Sequence, residues 1–295
     1  MKSLGLFFAA VGFVVSGYSQ SAFSELAAAA GIQPIPGSQA IAVADFNADG
    51  WDDFYLSFAS RKNQLYKNLG DGTFAEIAQS AGVDVGNNST TAVWGDINND
   101  GYPDLYVGRQ DAPDQLFLNK GNETFQDITF PAGIIQVGRP FSVNMADVDN
   151  DGFLDIYVSN FLYENFLFRN NRNNTFTNST FQARAFDSGK SMGTIFFDYD
   201  LDGDQDLYLV HDGFQPNFLY QNDGTGLFSE IGQSAGVNTK SFGMGVDAGD
   251  VDNDGYPDLY ITNLYENILL RNKGDGSFED ISSSAGVQDY GMGWG

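Results

Sequence analysis

One nine-residue pattern constrains this chain more than anything else in it, because the chain carries it five times. Asp250, Val251, Asp252, Asn253, Asp254, Gly255, Tyr256, Pro257 and Asp258 read D-x-D-x-D-G-x-x-D, and further copies begin at Asp45, Asp96, Asp147 and Asp198. Successive starts lie 51, 51, 51 and 52 residues apart. Self-similarity at a period of roughly 40 to 50 residues is the mark of propeller blades or another solenoid, in which each repeat is one supersecondary unit that buries its faces against its neighbours.

The pattern is also a chemical one. Calcium takes six to eight oxygen ligands, and alternate residues of a tight loop turned by glycine all point at one ion. The candidate ligands are Asp45, Asn47, Asp49 and Asp53 in the first loop, Asp96, Asn98, Asp100 and Asp104 in the second, and Asp147, Asp149, Asp151 and Asp155 in the third. The fourth offers Asp198, Asp200, Asp202 and Asp206, and the fifth Asp250, Asp252, Asp254 and Asp258, with the backbone carbonyl of position 7 in each. About one Ca2+ per loop, five in all, is expected, bound more weakly in loops 1 and 2, where Asn replaces Asp at position 3. An EF-hand needs Glu at position 12 and flanking helices; here position 12 is Leu56, Val107, Val158, Leu209 and Ile261.

Between the loops the chain alternates apolar and polar residues with turn signals, and each repeat reads as four short strands. In the first repeat these are strand A near Ala40 to Asp45, strand B from Asp53 to Phe58, strand C from Gln64 to Asn68 and strand D from Thr73 to Ile77. An Ala-Gly pair follows strand D at Ala81, Gly82, at Ala132, Gly133, at Ala235, Gly236 and at Ala285, Gly286, but not in the third repeat. Small residues at Ser89 to Ala92, Ser191 to Thr194 and Gly243 to Gly245 suit a crowded central axis. The fold class is therefore all-β, a β-propeller of four-stranded blades with the calcium loops between strands A and B. Five full repeats are present, at about 38–83, 89–134, 140–184, 191–237 and 243–287. Residues 20–32 match a lone strand D of a closing blade, and 288–295 the start of a further repeat, so the ring is read as incomplete and the chain as truncated.

Hydrophobic residues make up 42% of the chain, enough for a packed array, so the net charge of -25 does not signal disorder. Eighteen of the 39 acidic residues sit at loop ligand positions, where five calcium ions would offset ten charges. So acidic a surface argues against nucleic acid as a partner. The chain has no Cys and one His, which excludes disulfides, thiolate chemistry and an ordinary structural zinc site. Residues 1–19 read as a signal peptide: Lys2, an apolar run from Leu4 to Val15, then Gly17 and Ser19 placed for cleavage before Gln20. That run is shorter than the roughly 20 residues that span a bilayer. No later segment spans, so a secreted, cell-surface or periplasmic protein is expected, monomeric if its ring is complete.

The loops, the Leu105, Tyr106, Val107 strand, the run Asn267, Leu269, Arg271, Asn272, Gly274, Asp275, Gly276, Phe278 and the Ala285, Gly286, Val287 tail together resemble FG-GAP or VCBS repeats. Among these the chain is most similar to bacterial secreted proteins related to cartilage acidic protein, whose propeller precedes an ASPIC/UnbV domain. The resemblance implies a calcium-stabilised propeller like that of the integrin alpha subunit. No ASPIC/UnbV segment is visible. The repeat occurs in adhesion proteins, lectins and some polysaccharide lyases, so it implies fold and metal more than function.

Up-and-down blades put the A to B and C to D turns on one face and the B to C and D to A connections on the other. The second face is expected to carry Arg61, Arg109, Arg139, Tyr163, His211, Phe214 and Tyr265, a mixture that suits a glycan or an extracellular protein. His211, at a strand B end that varies between repeats, reads as a surface residue. The expected function is a binding or adhesion module with structural calcium. The alternative is a carbohydrate-active enzyme such as a polysaccharide lyase, although no catalytic constellation converges in the sequence.

Overall fold

The computed structural model describes residues 24–33, 36–288, 291 and 293, and the expected signal peptide lies outside them. Five four-stranded antiparallel sheets follow one another along the chain, each in simple sequential order. The first is β1 Ser38–Ala44, β2 Asp53–Phe58, β3 Gln64–Asn68 and β4 Phe74–Glu76, and the second β5 Ser89–Gly95, β6 Asp104–Arg109, β7 Gln115–Asn119 and β8 Phe125–Asp127. The third is β9 Pro140–Ala146, β10 Asp155–Asn160, β11 Phe166–Asn170 and β12 Phe176–Asn178. The fourth comprises β13 Ser191–Phe197, β14 Asp206–His211, β15 Phe218–Asn222 and β16 Phe228–Glu230, and the fifth β17 Gly243–Gly249, β18 Asp258–Asn263, β19 Ile268–Asn272 and β20 Phe278–Asp280.

The innermost strands β1, β5, β9, β13 and β17 pack each against the next, so the sheets stand as blades about a common axis without closing into a ring. Each of these strands carries a register irregularity near its start, away from the Asp loop. The core lies between blades. Phe46, Tyr55, Leu65 and Val83 of blade 1 pack on Leu105, Phe117 and Phe125 of blade 2, with Trp94 against them. Blades 2 and 3, 3 and 4, and 4 and 5 are joined by equivalent clusters.

Beyond strand D the strand reading is incomplete. A single helical turn follows it in four repeats: α1 Ala78–Ala81, α2 Thr129–Ala132, α3 Gly232–Ala235 and α4 Ser282–Ala285. Each is closed by the glycine of the Ala-Gly pair in a left-handed conformation. The third repeat keeps this geometry without the glycine: Ala183 N–H donates to Ser179 O and Ala185 N–H to Thr180 O, and Arg184 takes φ 61°. The segment before blade 1 makes the same turn over Ala27–Gly31, with Ala30 N–H to Leu26 O, and Phe74 N–H of blade 1 donates to Ala30 O. Ser24–Leu26, expected as part of a lone strand D, are not a strand; Phe23 lies outside the described residues.

Candidate metal loops and the opposite face

All five Asp loops fold alike. The carboxylate at position 1 accepts the N–H groups of positions 5 and 6, at 2.8–3.1 Å in every copy. Position 5 accepts the N–H of position 7. Position 4 is left-handed throughout, with φ between 55° and 62° at Ala48, Asn99, Asn150, Leu201 and Asn253. The glycine at position 6 has φ of 88–96°, which a side chain rarely tolerates.

Position 9 does more than the ligand pattern implies. Asp53, Asp104, Asp155, Asp206 and Asp258 are almost completely buried. One oxygen of each accepts the N–H of loop position 2, and the other the N–H of the Asn that ends strand C, Asn68, Asn119, Asn170, Asn222 or Asn272, at 2.7–2.8 Å. Burial pushes the carboxyl of Asp53 up to about 6 and those of Asp104, Asp155 and Asp206 up to about 7, against the pull of those N–H donors. A cation alongside would offset that cost.

The strand C asparagine was not singled out as a functional residue from sequence. Its side-chain amide donates to the carbonyl of loop position 2 in the preceding blade: Asn119 to Phe46, Asn170 to Ile97, Asn222 to Val148 and Asn272 to Tyr199, all at 2.7–2.8 Å. Those position 2 side chains are buried between blades. Loops 1 to 4 therefore each plug into the next blade by an apolar side chain and are latched there by an amide, whereas Val251 at position 2 of loop 5 is exposed. The available signal was an Asn at the same place in every repeat.

The residues present fit a hard cation. Carboxylate oxygens of Asp147, Asp149 and Asp155, of Asp198, Asp200 and Asp206, and of Asp250, Asp252 and Asp254 lie within 4.8 Å of one another in each group. Asp149 Oδ1 and Asp200 Oδ1 are buried acceptors with no hydrogen-bond donor, which a cation would satisfy. In loops 1 and 2 the position 3 amide instead donates to position 5, Asn47 Nδ2 to Asp49 and Asn98 Nδ2 to Asp100, both at 2.9 Å.

On the opposite face the expected residues separate into groups. Arg139 pairs with Asp111 at 3.2 Å and lies 5.8 Å over the Tyr163 ring. Phe214 and Tyr265 meet through Phe242, with ring centroids 4.6 and 5.5 Å apart. Arg61 sits over Phe58, while the Arg109 side chain reaches Pro113 O at 3.4 Å. His211 corrects the sequence reading, since it is 1% exposed rather than a surface residue. The segment leading into β13 covers it: Nε2 lies 3.2 Å from Asp187 Oδ2, and the ring packs edge-on against Phe218. Ser191 Oγ also donates to Asp187 at 2.6 Å, so the acid, not the imidazole, holds the hydroxyl. Although burial opposes it, hydrogen bonds from His211 and Ser191 hold the Asp187 carboxyl below its usual range.

At the axis, the starts of the five innermost strands surround a cavity of about 660 Å³. Its lining includes Ser38, Thr90, Phe141, Ser142, Met192 and Met244, and none of its described lining residues is charged. The Asp loops leave the other ends of these strands, so the cavity opens on the face away from them.

The FG-GAP-like repeat matches residues 45–107, 96–158 and 198–261, together more than half of the chain. Each matched stretch starts at position 1 of an Asp loop and runs into strand B of the next blade. The chain belongs to the FG-GAP-like repeat family. Cartilage acidic protein 1 of Homo sapiens is 32% identical over 203 residues, covering 64% of this chain and 30% of that protein. Integrin alpha-7 of Rattus norvegicus is 30% identical over 149 residues, 44% of this chain and 13% of the integrin. The chain thus spans about a third or less of the curated relatives it matches. Among solved structures, an Agrocybe aegerita lectin described for recognition of non-reducing terminal N-acetylglucosamine superposes with TM-score 0.52 at 18% identity, covering 83% of this chain and 65% of the lectin. A Lactobacillus plantarum protein superposes with TM-score 0.55 at 11% identity, covering 83% of this FG-GAP chain and 70% of its own. Both likenesses concern the fold. Among the described residues no helix is long and apolar enough to cross a membrane.

Proposed function

We propose that this FG-GAP protein is an exported binding or adhesion module for a glycan or an extracellular protein, held rigid by calcium in its Asp loops. Residues 1–19 would direct export. In each loop Asp or Asn at positions 1, 3, 5 and 9 would hold the ion, which supplies the charge neutralisation that closely set carboxylates lack. Because position 2 of loops 1 to 4 is the plug into the next blade, a closed loop there is a closed blade junction.

The observation that carries the binding reading is the axial cavity on the calcium-free face. Hydroxyls, amides, methionines and a phenylalanine line it without a charge, although the chain is strongly acidic. Such a lining, with Phe141 among it, suits an uncharged, hydroxyl-rich ligand. The lectin's fold supports the same reading. The lyase alternative loses its imidazole, because His211 is buried behind Asp187 and cannot approach a substrate.

The test is a glycan array probed with the calcium-loaded protein, its M192E and M244E variants, and R61Q as a control. Binding lost in both cavity variants and kept in R61Q is expected. Binding indifferent to the cavity charges would move the ligand elsewhere on the face. Turnover of an acidic polysaccharide would replace the binding reading with the enzymatic one.

A further inference from the structure

Loop 3 differs from the other four in having arginines on its carboxylates. The Arg169 guanidinium, from β11, pairs through Nη1 with Asp149 Oδ2, and Arg172 Nε pairs with Asp151 Oδ2 at 2.7 Å. Those carboxylates are positions 3 and 5 of the loop. Arg169 also reaches across the junction, where its Nη2 donates to Thr225 O in the C to D turn of blade 4 at 2.7 Å. Gly226 makes room for it, since a Cβ there would fall on the guanidinium.

The corresponding strand C residues do otherwise. Lys67 pairs with Glu123 of the next blade rather than with its own loop. Gln221 meets Asp200 of loop 4 at 2.9 Å but brings no charge, and Arg271 pairs with Glu279. Position 118 is Leu.

We infer that loop 3 is neutralised by the protein itself. Arg169 and Arg172 supply there the positive charge that calcium supplies in the other loops, so loop 3 ties blade 3 to blade 4 without metal and is the weakest calcium site of the five. This inference rests on the calcium reading of the loops. It reverses the order expected from ligand chemistry, in which four aspartates should make loop 3 stronger than loops 1 and 2. An ion entering loop 3 could reach Asp149 Oδ1, which has no donor, but only beside a fixed guanidinium that holds Oδ2 and is itself anchored to the neighbouring blade, whereas in loops 1 and 2 it meets only a neutral amide.

The experiment is calcium titration by calorimetry on the full chain at physiological ionic strength, comparing wild type with R169Q and with the position 5 variants D151N, D202N and D254N, since every loop has Asp at position 5. Wild type should show one site at least tenfold weaker than the rest, and R169Q should strengthen that site at least tenfold. D151N should leave the number of strong sites unchanged, while D202N and D254N should each remove one. In EGTA, R169Q should also melt below wild type, with the gap narrowing in millimolar calcium. Where R169Q folds poorly, the contrast between D151N and D202N decides alone. Five comparable sites, with D151N removing one as D202N does, would overturn the arginine assignment and leave the calcium reading intact. No binding at any loop would overturn the calcium reading and this inference with it.

Discussion

Asp114 stands where the other blades have Asn63, Asn165, Asn217 and Asn267. Those asparagines cap the B to C turn by accepting the last N–H of strand B and by donating to a buried tyrosine hydroxyl. Asp114 accepts from Arg109 N–H and from Tyr106 Oη, at 2.6 and 2.7 Å, and burial pushes its carboxyl up to about 7. A carboxyl raised in the folded state is protonated there while it is ionised in the unfolded chain. Its stability is therefore full below about pH 4 and lost as pH rises through about 7. Asp114→Asn should remove that dependence and gain on the order of 2 kcal/mol at pH 8, with no gain at pH 4. Urea melts at the two pH values check it. The Asn222 latch makes a second prediction. Asn222→Ala deprives Val148 O and Gln205 O of their amide donor and should cost about 2–3 kcal/mol. Asn68→Ala takes the amide donor from Asp52 O alone, beside the Gly70 N–H that its Oδ1 accepts, and should cost about half as much by the same melts.

The Asp loop was readable residue by residue because its turn closes within nine positions: a glycine that tolerates positive φ at position 6 and carboxylates on alternate residues dictate the local path. Position 4 is imperfect in two copies, Ala48 of loop 1 and Leu201 of loop 4, and the bulkier misfit is Leu201. Leu201 is forced to φ 62° at a position where loops 2, 3 and 5 have Asn, and it is 51% exposed, so little burial would be lost on replacement. Leu201→Asn should stabilise by about 0.5–1 kcal/mol, measured by denaturant midpoint at constant calcium. The new amide would also be placed to reach the next loop, as Asn99 Nδ2 reaches Gly152 O at 2.7 Å and Asn150 Nδ2 reaches Asp204 at 2.6 Å. The helical turns after strand D were less legible. They are only four residues long and lack side-chain caps, so only the closing glycine marks them, and Arg184 stands in that place in the third repeat.

Across the array the loops and the core are one system, because each of loops 1 to 4 inserts its position 2 side chain into the next blade. Calcium removal should accordingly loosen junctions rather than fray turns. At millimolar calcium, each site with tenfold saturation contributes about 1.4 kcal/mol, so four such sites should raise the melting temperature by roughly 10 °C over EGTA. A melting curve that ignores EGTA would mean that the aspartates act only as turn formers. The repeat, the four-stranded blade, the Asp loops and the choice of opposite faces were all determined by the sequence, because each depends on period, alternation or turn chemistry within a few tens of residues. The asparagine latches, the burial of His211, the arginines on loop 3 and the uncharged axial cavity were decided only by the tertiary structure. These join residues of different blades, in the latches 73 or 74 positions apart, or residues of one blade whose side chains meet only when the strands pair. Such contacts follow from the stacking of sheets about an axis, which no local pattern records.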